Sequence, residues 1–526
     1  MTTAQSAADF EERIDAAARA TTAAATEVQT IVTSELTAMS AAWAKATAEV
    51  DDLEAQRAAL LSVANVYDDE LSKLWSSYPK GRPREAVPAA PLLSEVVVRL
   101  PGRGWAVGES VMDQLSRDLR DAQRARGDAY QHPFVPGVFP QRVRTATASV
   151  QGIVLALQAR ADQLVGERET RLETRDSEAD STREPADRRL AEARSRLSDA
   201  MRRLPPGMSP WSSPSWLSWR PVFGHSHVFL GMLRRQPGQA PGKNHTFGSD
   251  AVIPAFVPIR EALRVSHHRQ DRDTALALAR SVLLRALAST PPGKLRLAVF
   301  DPTGLGQSVS SLLELGEYDR DLIGGKVWSS TEDLQSLLAE HTAHIELVIQ
   351  KYLRAEYATL DEFNVAAGEI AEPYRLLAIF DAPSGLDERA FSELRRVIEN
   401  GPRCGVSTLL VTDEDLQSPY GVSLDALPQS LKTLQLDMPF GHSAGGNTIA
   451  FDLIPDTDTA APAQVVRSII HEVGKASQES TSAAVSFDKS FGLFSQAALD
   501  GRKRGLPRFS TPVDVANPDD AVGVRG

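Results

Sequence analysis

The sequence predicts an α/β protein: a parallel sheet with helices on both faces, preceded by a long α-helical region. Two observations predict the sheet. Apolar segments at Leu263–His267, Leu295–Phe300, Leu376–Asp381 and Val406–Thr412 alternate with helical patterns at Asp273–Ala288 and Thr331–Glu356. Strands that alternate with long helices form parallel sheets. Two of these strands run into an acid, Asp301 and Asp381, at the carboxyl ends where such sheets place ligands. The third observation predicts the helices: from about Ala7 to Trp75 the chain is rich in Ala, Glu and Leu and contains no Pro or Gly.

In that first stretch Val32, Leu36, Met39, Trp43, Ala46, Val50, Leu53 and Leu60 recur by threes and fours, interrupted by Arg57. This heptad seam predicts one long helix in an antiparallel bundle, with a parallel coiled-coil dimer as the alternative. Pro79–Pro91 reads as a linker, Glu95–Leu100 as a short strand, Ser110–Arg126 as an amphipathic helix and His132–Pro140 as a loop. Helical spacing returns through Ile153, Leu157, Leu164 and Leu172. The mixed-charge segment Gly166–Arg203 keeps Leu190, Leu197 and Leu204 seven apart. It reads as the second arm of a helical hairpin with a solvated face, interrupted by Pro185 and ended by Pro205-Pro206. Residues 1–205 are thus one helical region.

Residues 206–480 read as the α/β domain. Trp211, Trp216 and Trp219 stand among Ser and Pro, and Val222–Met232 reads as paired short strands. His225 and His227 have no acidic or cysteine partner at ligand spacing, so they are ordinary strand residues. Val282, Leu283, Ala286 and Leu287 form the inner face of the helix after Leu263–His267. Val309–Leu315 reads as a short helix and Val327-Trp328 as a short extra strand. Ser330 or Thr331 is the expected N-cap of the next helix, whose stripe runs Leu334, Leu337, Leu338, His341, Ile345, Val348 and Leu353. There His341 and His344 are packing residues. Leu360–Ala367 is a further helix, and Glu369, Glu372 and Arg375 are expected to form an ion pair below the strand at Leu376. Leu431–Leu436 and Asn447–Leu453 read as strands, Ala463–Ala476 as a helix with Val465, Val466, Ile469, Ile470 and Val473 inward, and 481–526 as a flexible tail.

A net charge of −12 over 526 residues argues against a generally basic nucleic-acid coat. One cysteine, Cys404, cannot form an internal disulfide and fits a reducing cytosol. No signal peptide or membrane-spanning stretch is read, so a cytoplasmic location with no membrane partner is expected.

The motifs of nucleotide hydrolysis are missing. A P-loop needs Gly, four residues, then Gly-Lys and Ser or Thr, so that backbone amides, lysine and hydroxyl meet the phosphates and magnesium. Gly-Lys occurs at Gly242, Gly293, Gly325 and Gly474, followed by Asn, Leu, Val and Ala, and no leading glycine stands six positions before any of the lysines. The turn Asp301-Pro302-Thr303-Gly304-Leu305-Gly306 follows a strand and can present amides to an anion. Asp381 stands where a magnesium-binding acid would, but Ala382-Pro383-Ser384 follow it and supply no base to activate water. No catalytic residue and no metal site is assigned.

The segments Leu287–Arg296, Asp301–Gln307, Ile349–Arg354, Ala367–Arg375 and Gly401–Val406 occur in this order. Together they resemble large actinobacterial proteins of the FtsK/SpoIIIE-like ATPase group, over roughly residues 205–480. The resemblance implies a coiled-coil region followed by a degenerate RecA-like (P-loop NTPase-type) domain. The helix around Ile470–Lys475 then looks like the approach to a true P-loop domain, which the sequence does not reach. The expected function is a non-catalytic module of such an ATPase or DNA translocase system. Its partner would be a P-loop FtsK-like ATPase, or a second copy held through the coiled coil, with DNA contacted only indirectly. No cofactor is expected. The alternatives are a divergent ATPase binding ATP with Mg²⁺ at a vestigial site of Asp301, Thr303, Gly304, Gly306 and Asp381, aided by Lys294 or Lys326, and a coiled-coil DNA-binding scaffold.

Overall fold

The computed structural model describes residues 3–76, 82, 96–102, 104–131, 138–221, 227–236, 246–354, 357–367, 371–436, 440–444 and 447–479. Most of the Pro79–Pro91 linker, His225, Glu369 and the 481–526 tail lie outside the described residues. The architecture is mixed α/β, as the sequence predicts: a long helical region, a five-stranded parallel sheet and a separate four-stranded antiparallel sheet.

Helix α1 spans Thr3–Trp75, about 110 Å at 1.5 Å per residue. It packs along α3, Val138–Met201. Cross-pairs Glu27–Arg196, Glu35–Arg189, Glu49–Arg171 and Glu54–Arg168 descend along α3 as they climb along α1, so the two run antiparallel. The predicted seam is the buried one: Val32, Leu36, Met39, Ala46, Val50 and Leu60 are all covered. The Glu27–Arg196 pair is exposed on both sides, and such a pair is worth about 0.2–1 kcal/mol. Arg196→Gln is therefore expected to leave the melting temperature within about 2 °C of the parent, since exposed changes stay near 0.5 kcal/mol; thermal melting checks this.

At the end of α1, α2 (Glu109–Gln131) closes a three-helix core in which Leu115 and Ala122 meet Leu60, Leu71, Val154 and Leu157. Beside it lie β1 (Val97–Leu100) and β2 (Gly104–Val107), an antiparallel hairpin. Trp105 of β2 donates its indole N–H to Asp52 on α1 at 2.7 Å. The sequence announced β1 but not its four-residue partner.

Pro185 does not interrupt α3, contrary to expectation. Proline removes one backbone donor and crowds the preceding turn. Here the flanking turns are clamped against α1, with Ala186 and Leu190 buried beside Val32 and Leu36. Packing along a long helix outweighs one missing bond.

The parallel sheet consists of β5 (Leu263–His267), β6 (Leu295–Phe300), β7 (Tyr374–Ala382), β8 (Val406–Asp413) and β9 (Lys432–Gln435), in the spatial order β6-β7-β8-β5-β9. Val327-Trp328 extends the β6 edge through one bridge, Trp328 to Phe300. On one face lie α4 (Arg272–Ala288) and a C-terminal helix over residues 463–479, α9. On the other lie α6 (Thr331–Lys351), α7 (Leu360–Ala367) and α8 (Glu388–Asn400). Ser330 caps α6 by accepting the Asp333 N–H, and Asp387 caps α8 by accepting that of Ala390. The predicted short helix at Val309–Leu315 is a 3₁₀ segment, Gln307–Leu312, followed by α5, Leu315–Tyr318.

Strand β3 (His227–Arg235) pairs with β4 (Val252–Pro258) and with β11 (Asn447–Pro455), which also pairs β10 (Phe440–Ala444). Of the segment Val222–Met232, expected as paired short strands, the described part from His227 on belongs to one strand, whose partners lie outside the segment. Phe247, Ala251, Ile253 and Phe451 from this part of the fold pack on Val28, Val32 and Leu190, which seats the helical pair on the α/β part.

Between α3 and β3 the tryptophan segment forms a strap over α4. Trp211 donates to Ser281 Oγ at 2.9 Å and Trp219 to the Ala288 carbonyl at 3.1 Å. Helix α4 is buried nearly all round, as a helix sandwiched between sheet and strap must be. Its one fully buried charge, Arg285, donates to the Gly207 and Ser209 carbonyls and pairs with Asp456 at 2.5 Å.

Candidate functional site at the carboxyl edge of the parallel sheet

The chain connections leave β5 and β8 in opposite directions. From β5 the chain crosses to β6, and from β8 it passes over β5 to β9. The crevice at the carboxyl ends of these strands is where open α/β sheets bind ligands. The residues there are His267 ending β5 and His268 after it, Arg272 opening α4, Asp301 after β6, Asp381 in β7, Thr412 and Asp413 ending β8, and Glu414 and Asp415 after it.

The loop from β5 into α4 is the strand-to-helix connection that a P-loop would occupy. It reads His268-Arg269-Gln270-Asp271, with no glycine or lysine. Instead of wrapping an anion from outside, it wraps Asp415. The Arg269 backbone N–H and the His268 ring reach the two carboxylate oxygens, both at 2.8 Å. The Arg269 N–H and then His268 hold the Asp415 carboxyl below its usual range. Next to it, Glu414 accepts from Arg264 at 2.6 Å, Ser266 at 2.7 Å and Thr412 at 3.0 Å. Burial alone would raise the Glu414 carboxyl; Ser266, Arg264 and Thr412 together outweigh it and hold the group low.

Asp381 is buried and already engaged. Arg272 grips it bidentately, Nε to Oδ1 at 3.0 Å and Nη2 to Oδ2 at 2.8 Å, the strongest pairing geometry a carboxylate has. Asp381, and to a lesser degree Asp273 and Asp301, hold the Arg272 guanidinium above its ordinary value. The Asp381 backbone sits in the left-handed region, φ 51°, which aspartate tolerates better than most residues.

The Asp301 turn is closed on itself. The Asp301 carboxylate, fully buried, accepts the N–H groups of Gly304 and Gly306 at 2.9 Å and of Ser308 at 3.2 Å. These are the amides that a phosphate would need. A side chain at Gly304 would place its Cβ 2.6 Å from the carboxylate, and Gly306 adopts φ 96°, so both glycines serve the aspartate. Thr303 is exposed on the turn, and Leu305, 74 % exposed, sits at its tip with φ 51°.

Of the five residues predicted for a nucleotide site, Asp301, Gly304 and Gly306 form one hydrogen-bonded turn. Thr303 is exposed beside that network. Asp381 stands on the neighbouring strand, paired with Arg272. Lys294 opens β6 at the opposite edge and donates to the Ala371 carbonyl at 2.7 Å. Lys326 lies over the Trp328 ring, 3.8 Å from its centroid, and 3.6 Å from Asp333. The expected Glu372–Arg375 pair does not form: Arg375 pairs with Glu340 at 2.9 Å, and Glu372 accepts from Tyr352 at 3.0 Å. Sequence reasoning missed Arg272, His268, Arg269, Glu414 and Asp415. An arginine opening a helix after an apolar strand was the one available signal. Its partner lies 109 positions on.

A metal ion at Asp381 would have to displace a guanidinium, and a phosphate in the Asp301 turn would have to displace a carboxylate. Asp301, Asp381, Glu414 and Asp415 are each engaged by donors of the chain itself.

No protein-family model matches the chain, and no curated protein matches it. Solved structures of the FtsK/SpoIIIE type are similar over part of it. ATPases 2 and 3 of EssC from Geobacillus thermodenitrificans align at 12% identity, TM-score 0.35, over 50% of this chain and 51% of that one. The cytoplasmic domain of the type VII secretion ATPase EccC from Thermomonospora curvata aligns at 13% and 0.31, over 48% and 30%. The conjugation coupling protein TcpA of pCW3 aligns at 10% and 0.33, over 51% and 74%. The alignments thus span about half of the EssC chain and less of the EccC chain. Likeness at this level carries no argument about chemistry, which rests on the residues themselves.

Proposed function

We propose that this chain is a non-catalytic, RecA-like module of an FtsK/SpoIIIE-like ATPase system, a structural or regulatory partner of a P-loop motor. One observation carries the reading: the two acids and the turn amides that would meet a nucleotide at the carboxyl edge are already bound by the chain itself. Arg272 takes Asp381, Asp301 takes the amides of its own turn, and the β5–α4 loop takes Asp415. Internal ion pairs and hydrogen bonds of this kind keep the edge rigid without ligand, as a stacking or docking domain requires. The helical pair α1–α3, seated on the antiparallel sheet, would extend contact to a further partner.

The test is calorimetric titration of the purified chain with ATP and Mg²⁺, with hydrolysis followed in parallel. No binding at millimolar ATP and no turnover is the expected result. Saturable binding that disappears in Asp381→Ala would overturn the reading in favour of a divergent ATPase.

A further inference from the structure

Arg296 on β6 and Arg375 on β7 are paired in register across adjacent strands. Both lie at the amino side of the sheet, as the second residue of each strand. Both face α6: two residues on, Ala298 and Leu377 belong to the core beneath α6 and α8, whereas Leu295, Leu297 and Leu376 pack in the opposite layer. Like charges directly opposite in a sheet repel, so an in-register arginine pair calls for an anion.

The anions the chain supplies are peripheral. Glu340, 65% exposed, holds one Arg375 nitrogen at 2.9 Å; Asp321, 70% exposed, stands 3.6 Å from Arg296, too far for a hydrogen bond. Two guanidinium groups carry about ten N–H donors. Among the described residues, one of these makes a hydrogen bond, Arg375 to Glu340. Behind the pair, α6 contributes His344, 5% exposed, whose Nε2 has no partner among the described residues. Burial first, then Arg375, His341 and Arg296, push this imidazole down to about 4, so it is neutral at physiological pH and adds no repulsion. His341 beside it is turned inward, its Nδ1 bonded to the Leu337 carbonyl at 2.7 Å.

We propose that Arg296, Arg375 and His344 form a binding site for a terminal phosphate group, on the opposite side of the sheet from Asp301 and Asp381. Two planar forks side by side suit a dianion with three free oxygens better than a single carboxylate, which one fork already saturates. The exposed carboxylates of Glu340 and Asp321 would give way to the incoming group. The inference does not depend on how the carboxyl edge is read.

Equilibrium dialysis of the full chain against ³²P-labelled inorganic phosphate at low ionic strength tests it. Saturable uptake of one phosphate is expected, weakened at least about tenfold in Arg296→Gln and in Arg375→Gln and unchanged in Arg467→Gln, an exposed arginine on α9. Among the described residues, the Arg296 side chain makes no hydrogen bond, and it is 42% exposed, so its variant separates loss of binding from loss of folding. Displacement of the label by O-phosphoserine would identify a phosphomonoester group as the ligand; displacement by unlabelled phosphate alone would identify the free ion. Uptake that does not saturate, or uptake by both arginine variants equal to that of the parent chain, would overturn the proposal.

Discussion

Asp301→Ala is expected to destabilise the α/β part of the chain by about 4 kcal/mol, from three buried amides left unsatisfied at roughly 1–3 kcal/mol each, offset by partial access of water. The side chain is fully buried and is the acceptor for Gly304, Gly306 and Ser308. Its own N–H also ties the turn to the Trp328 carbonyl at 2.8 Å. Releasing the turn would loosen the 3₁₀ segment after it, where Arg280 reaches the Ser308 carbonyl while bound to Asp458. Asp301→Asn keeps one carbonyl oxygen and should lose about half as much. Urea unfolding followed by tryptophan fluorescence, in a background with Trp43, Trp75 and Trp105 replaced by Phe so that Trp211, Trp216, Trp219 and Trp328 supply the signal, reports on this part of the molecule. A loss below about 1 kcal/mol, the worth of one ordinary hydrogen bond, would show that the turn does not need its aspartate. The self-filled nest would then be no argument against an external anion.

Asp456→Ala is expected to cost about 3–5 kcal/mol, the usual result of stripping one partner from a buried ion pair. Arg285 is fully buried, and its guanidinium lies 4.2 Å from the centre of the Trp211 ring and 5.3 Å from that of Phe229. Burial lowers this arginine to about 9, against the opposing pull of Asp456; the same burial raises the Asp456 carboxyl. Without Asp456, the charge stays in an aromatic cage with only the Gly207 and Ser209 carbonyls and Ser281 as neutral acceptors. The Trp211 backbone N–H also loses its acceptor at 2.9 Å. The double variant Arg285→Met, Asp456→Ala should recover a large part of the loss, because an apolar pair of similar volume avoids the uncompensated charge. A single variant within about 1 kcal/mol of the parent would mean that the strap is held by its tryptophans alone. The effect is expected in the tryptophan signal, leaving the helicity of α1 and α3 largely unchanged.

Periodicity made much of the molecule legible. Val32, Leu36, Met39, Ala46 and Val50 are buried in α1 as their spacing implies, and the core strands β5 to β8 lie where short segments between helical patterns place them. These features are local: a helix face or a buried strand is written within a dozen consecutive residues. The acids at the strand ends were equally visible, since an apolar run that stops at Asp381 can be read without knowing its neighbours.

What the tertiary structure decided was the company those residues keep. Strand order, the pairing of β3 with β11, and the survival of α3 through Pro185 all rest on contacts between distant segments, which no local pattern encodes. So does the state of the candidate site. Arg272 and Asp381 are 109 positions apart, and Asp301 and the amides of its own turn read as easily for an empty nest as for a filled one. By itself the sequence determined that a P-loop is absent and that two acids end core strands. Only folding determined that both acids are already bound, because a carboxylate's availability is set by the donors that three-dimensional packing brings within 3 Å of it.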